Sequence, residues 1–234
     1  MHVLTTTTDV ADIRRAVLHR RIRLIVAATI AYNVIEAIVA ISAGTIASSV
    51  ALIGFGLDST IEVLSAAAVA WQFTRRDPER WERGTLRVIA IAFFALAAYV
   101  TVSSSLALAR AVEPSHSTVG LILTAVSVAV MPLLSFAERR AGRELGSATA
   151  VADSKQTLIC AFLSAAVLLG LLLNSLFGWW WADPIAGLVI VVFAVREGIE
   201  AWKGDACATS VGMILENDES EREGNHEDRS PAHR

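Results

Sequence analysis

The residues with chemistry to offer are acids placed where a charge is expensive. Glu36, Asp58, Glu62 and Asp153 all fall inside long apolar runs, and a charged side chain at a bilayer centre costs on the order of 2.5–3.5 kcal/mol on insertion scales. Asp58 and Glu62 are four residues apart, so on a helix both carboxylates share one face, one turn above the other. Ala51, Gly54 and Ser65 continue that stripe with small residues suited to close packing against a neighbour. Asp153, Thr157, Cys160 and Ser164 make a similar polar stripe further along the chain. If the two helices run antiparallel, Glu62 stands level with Asp153 and Asp58 with Thr157, so that oxygen-bearing side chains converge near mid-membrane. Carboxylates held together repel one another unless protonated or neutralised by a cation. A divalent metal is the economical partner, because it takes carboxylate oxygens directly. The structural alternative is a protonated cluster that only fastens helices, a task Ser, Thr or Asn performs at lower cost.

Other polar residues leave more than one reading open. Thr29, Asn33 and Glu36 form a polar face on the first apolar run, nearer the outer surface than Asp58. Glu36 there is read as lining an exit path, adding a fifth ligand, carrying a proton, or making a structural hydrogen bond. Lys155 lies near a span end and can snorkel to the interface. Cys160 is either a soft ligand or a buried structural thiol.

The elements that must position these groups follow from composition. Of 234 residues, 54% are hydrophobic and 18% charged, with mean hydropathy +0.54. A soluble domain of this size needs a more polar surface. A net charge of −3 gives nucleic-acid binding no electrostatic basis, and two cysteines rule out a disulfide-rich scaffold. Because about 20 apolar residues cross a bilayer core, the runs predict helices at 22–43, 46–72, 87–109, 118–137, 150–174 and 183–202. The expected fold is an all-α membrane protein, a six-helix transmembrane bundle.

Orientation comes from the basic residues. Arg14, Arg15, Arg20, Arg21 and Arg23 precede the first span, Arg75, Arg76, Arg80, Arg83 and Arg87 fill the second link, and Arg139, Arg140 and Arg143 the fourth. Arg110 stands alone on the other side. Both termini are therefore expected to be cytoplasmic, in a multi-pass protein of the cell (inner) membrane. No removable signal peptide is evident at the N-terminus. Residues 1–21 are read as a polar cytoplasmic segment in which Asp9 caps a short helix. Residues 22–203 read as one six-span transmembrane domain, and 204–234 as a disordered acidic tail. Trp179, Trp180 and Trp181 mark the outer interface. Asp183 and Pro184 read as N-cap and first-turn proline of the last helix, and Pro132 as a kink in the fourth.

Several segments resemble the cation diffusion facilitator, or cation efflux, family. GTIASSVALIGFGLDSTIE, from Gly44 to Glu62, looks like the family's first-to-second-span junction. ADSKQT, from Ala152 to Thr157, resembles its fifth-span motif, and WADPIAGLVIVVFAVREGIEAW, from Trp181 to Trp202, its sixth span. The resemblance implies a transporter rather than an enzyme, exporting divalent cations from the cytoplasm in exchange for protons. It carries no prosthetic group, the metal being cargo held by Asp58, Glu62, Asp153 and Thr157, with Asn33, Glu36 and Cys160 as accessory candidates. Many members carry histidine or aspartate at the positions of Asp153 and Thr157, whereas all five histidines here lie outside the spans. An oxygen-rich set suits Mn²⁺ or Fe²⁺ better than an imidazole set would, while the family's leaning keeps Zn²⁺ first and Co²⁺ in the group. Many members also dimerise through a folded cytoplasmic domain. Here the acidic tail stands in its place, so a homodimer would need another surface. DSTIE and DSKQT echo each other weakly, as inverted halves would. Two rival readings are a non-transporting membrane metal sensor and an intramembrane aspartyl protease using Asp58 and Asp153. The protease reading leaves Glu62 unexplained.

Overall fold

In lipid, backbone amides and carbonyls must be satisfied within the chain, so long apolar runs become helices. A computed structural model describes the backbone of residues 3–73, 78–145 and 148–203, with side chains from residue 24 onward except around the two intervening links. It contains α1 (Val3–Ala47), α2 (Val50–Phe73), α3 (Pro78–Arg110), α4 (Thr118–Leu145), α5 (Ala148–Phe177) and α6 (Ala182–Lys203), with no strand among the described residues. The predicted six-helix bundle is the observed architecture. Apolar stretches long enough to cross a membrane are Ala27–Ala47, Val50–Ala68, Arg83–Arg110, Thr118–Ala137 and Thr157–Phe177, in five of the helices. The 22-residue α6 falls outside that group because Asp183, Arg196, Glu197, Glu200 and Lys203 interrupt it. It nonetheless packs against α2, α3 and α5.

The helices outrun their apolar stretches. α1 begins at Val3, so the boundary expected at residue 21 falls inside a continuous helix, and Asp9 lies within that helix instead of capping it. α3 opens on Pro78, nine residues before the predicted start and in the first-turn position proline favours. α4 runs on to Leu145, with Pro132 inside it. Hydropathy marks only the apolar part, whereas the Arg-, Glu- and Ala-rich flanks are good helix formers in their own right. Residues 204–234 lie outside the described residues.

The first turn also moves. The predicted link is 43–45, but α1 continues to Ala47 and turns at Ser48, whose φ is 56°. Ser49 N–H donates to Gly44 O at 2.9 Å and Ser48 N–H to Thr45 O at 3.4 Å, which closes the helix end. Gly44 remains helical and serves a different purpose: a Cβ there would lie 2.8 Å from the Ile53 backbone nitrogen, so glycine lets α2 pass close to α1. Ser49 then caps α2, its hydroxyl accepting from Leu52 N–H at 3.1 Å.

α2 occupies the centre, touching α1, α3, α5 and α6, while α4 packs on α1 and α5. Leu52 and Phe55 of α2 join Phe93 and Val100 of α3, Val167 of α5 and Ile190 of α6 in the buried core. On the outside, Ile35, Ile38, Leu133, Phe136, Phe162 and Val192 are each more than half exposed. A continuous apolar exterior of this kind suits lipid and would be a liability in water. At the turn end, Ser115 N–H donates to Ala47 O at 2.8 Å and Asn174 Nδ2 to Pro114 O at 2.9 Å. These bonds tie the α1–α2 turn, the α3–α4 loop and the end of α5 into one layer. Trp179 and Trp181 stack there with centroids 5.2 Å apart.

Candidate metal site

α2 brings Asp58 and Glu62 to the bundle centre on one face, as their spacing requires. Asp58 is 7% exposed and Glu62 is half-buried. Both line a small cavity together with Cys160 and Leu163 of α5, Phe93 of α3 and Glu197 of α6. The stripe residues Ala51, Gly54 and Ser65 are buried with them.

Glu62 is gripped from two sides. Its Oε2 accepts from Asn33 Nδ2 of α1 at 2.7 Å, and its Oε1 accepts from the Cys160 thiol of α5. The Glu62 carboxylate meets Cys160, seven residues beyond Asp153, because a long side chain reaches along the groove to whichever donor is buried there. Thr157 is buried on the same helix, slightly less than a turn before Cys160. Asp153 falls within α5, but its side chain, like that of Lys155, lies outside the described residues. Among the described residues no three His, Cys, Asp or Glu side chains form a group able to hold a metal. Glu62 is engaged by Asn33 and Cys160.

Glu36 belongs to a separate cluster. It is 1% exposed; Oε2 accepts from Ser59 Oγ of α2 at 2.8 Å and Oε1 from the Ser127 hydroxyl of α4. Tyr32 and Ser127 hydroxyls are 2.7 Å apart. This clasp joins α1, α2 and α4, and of the open readings of Glu36 it matches the structural hydrogen bond.

The capping role expected of Asp183 is corrected. The residue sits in the first turn of α6, but its carboxylate caps α2 across the bundle. Ser49 Oγ donates to Oδ1 at 2.5 Å, and the Val50 and Ala51 amides donate to Oδ2 at 2.9 and 3.4 Å. The unsatisfied amides and positive dipole end of α2 attract the acid more strongly than its own helix does. Glu197 is a cavity-lining acid absent from the sequence-based candidates. Its signal is an acid inside a predicted span, masked by neighbouring Arg196 and Glu200, which make it read as ordinary helix-end charge. Arg196 and Glu200 in fact pair with each other at 2.9 Å.

Known proteins share this sequence pattern. Residues 26–203 match the cation efflux transmembrane domain. The chain is 33% identical over 112 residues to the cation-efflux pump FieF of Shewanella oneidensis, covering 47% of this chain and 36% of that protein. It is 23% identical over 192 residues to an uncharacterized transporter of Methanocaldococcus jannaschii, covering 78% of this chain and 66% of the relative. The matched chain thus spans between about a third and two thirds of these relatives' own lengths.

Proposed function

The chain belongs to the cation efflux family, and from that premise we propose that it exports divalent transition-metal cations from the cytoplasm in exchange for protons. Zn²⁺ is the first candidate cargo, with Mn²⁺, Fe²⁺ and Co²⁺ behind it. The observation that carries the reading is Asp58 and Glu62, two acids one turn apart on the central helix, both lining one cavity inside the bundle. Asp58, Glu62, Asp153 and Thr157 are the proposed ligands. Carboxylates bind metal only when deprotonated, so an arriving cation displaces protons and arriving protons displace the cation. Exchange with protons is then a consequence of ligand chemistry. Alternating access delivers each competitor from its own side, the bundle rocking about the fixed acids. The arginine-rich links favour an inner-membrane protein with both termini in the cytoplasm.

The test is uptake into proteoliposomes with an acidic lumen, offering Zn²⁺, Mn²⁺, Fe²⁺ and Co²⁺ in turn. We expect proton-driven entry that Asp58→Ala reduces by at least about tenfold. Metal binding by the wild type with no flux of any ion would sink the transporter reading and leave a membrane metal sensor in its place.

A further inference from the structure

α3 and α6 form an open groove at the end of the bundle that carries the arginine-rich links. Arg83, Arg87 and Ile91 are spaced by four, so they line one face of α3, and Phe94 follows one turn later. On α6, Val195, Ile199 and Trp202 share a face by the same rule. The two faces meet, because the Arg87 guanidinium lies 5.8 Å from the centroid of the Trp202 ring. They also touch deeper in the membrane. A Cβ on Gly198 would lie 2.8 Å from Phe94 Cε1, so glycine brings the helices together at the groove floor. Along the walls Ile91, Val195, Ile199 and Trp202 are all exposed. The lip is basic, with Arg83, Arg87 and Lys203 exposed. Gly84 leaves a notch between the two arginines, since a Cβ there would meet no atom within 4 Å.

We propose that this groove binds an anionic phospholipid, its phosphate on Arg83 and Arg87 with Lys203 alongside, and an acyl chain along Ile91, Val195 and Ile199. Guanidinium groups match phosphate oxygens in pairs, and an indole ring sits well at headgroup depth. The Trp202 ring also holds the Arg87 cation in place before any ligand arrives, so less order is lost on binding. Charge complementarity selects the occupant. Among the described residues no carboxylate pairs with Arg83, Arg87 or Lys203: Arg196 and Glu200 pair with each other, and Glu197 lines the inner cavity. A second copy of the chain fits the same face poorly. Copies in one membrane share an orientation, so a two-fold contact here would set Arg87 against another Arg87 at equal depth. An anionic headgroup neutralises these cations, and its tail covers the apolar walls below them.

Native mass spectrometry of the full chain in detergent, titrated with dioleoylphosphatidylglycerol or dioleoylphosphatidylcholine, tests the site. We expect phosphatidylglycerol to bind in preference, with affinity about fivefold lower in Arg87→Gln and lower again in the Arg83→Gln/Arg87→Gln double variant. Gly84→Leu, which fills the notch and keeps every charge, is expected to weaken binding too. Arg143→Gln removes an exposed arginine at the same end of the bundle, on α4, and should leave the affinity unchanged. Wild-type thermal midpoints in lipid-free detergent are expected of every variant, so lost binding is not lost folding. Equal affinity for the two lipids, or an equal loss in Arg143→Gln, overturns the site and leaves only diffuse charge. Displacement of the lipid by inorganic phosphate at matching concentration makes this a free-anion site and overturns the lipid. A lipid-independent dimer that Arg87→Gln dissociates seats a second copy there instead.

Discussion

Glu36 and Asp183 are buried acids with every carboxylate oxygen engaged by hydroxyl or amide donors. Glu62 differs, because a thiol and a side-chain amide donate to it, groups that can themselves ligate metals. Burial alone therefore does not separate these acids; the chemistry of their partners does. Asp183 offers the sharpest test of a scaffold role. It accepts from Ser49 and from two amides of α2, the Ser49 contact being the 2.5 Å bond. Asp183→Ala is expected to lower stability by about 2–4 kcal/mol, combining a lost cap with uncompensated buried donors. Unfolding of the detergent-solubilised protein measures this. An unchanged midpoint would mean that water satisfies the α2 end without the acid.

At the scale of helices, close crossings are set by glycines. A Cβ on Gly56 would lie 2.8 Å from Ile41 Cγ1 and 2.9 Å from both Ala40 Cβ and the Ile41 backbone nitrogen. α1 cannot yield backbone atoms cheaply, so Gly56→Ala is expected to cost about 1–3 kcal/mol. Gly84 in α3 is the contrasting case, since a Cβ there would meet no atom within 4 Å. Gly84→Ala should be neutral or stabilising by up to about 1 kcal/mol, since glycine weakens a helix interior. The pair, compared by thermal unfolding, separates crowding at a crossing from helix propensity. Equal effects would refute the close-packing account of α1 against α2. Ordering matters for the site too, because Asn33 and Glu62 meet across this same α1–α2 contact.

At the scale of the molecule, three connections gathered at one end and an apolar exterior define a multi-pass membrane protein. The proposed orientation is open to a direct check. Alkaline phosphatase inserted in the α3–α4 loop at 111–117 should be active, and green fluorescent protein fused after residue 203 should fluoresce. The reverse pattern would place the arginine-rich links outside and undo the export direction. Two arginines of those links, Arg83 and Arg87, are exposed near the start of α3. Arg87 rests over the Trp202 ring, 5.8 Å from its centroid, which ties the early part of α3 to the last turn of α6.

Hydropathy period and length determined the six helices, and the i, i+4 spacing determined that Asp58 and Glu62 share a face, because both facts are local to one helix. Intramembrane acids were legible for the same reason: their cost is set by the segment that carries them. Partnership was not legible. That Glu62 meets Cys160 and Asn33, that Asp183 caps α2, and that Glu197 of α6 shares the Asp58 cavity all depend on how helices rotate and slide against one another. Those offsets are fixed by small residues at crossings such as Gly44 and Gly56, and by caps such as Ser49. Each acts between segments far apart in the chain, so only the packed bundle decides which polar groups meet.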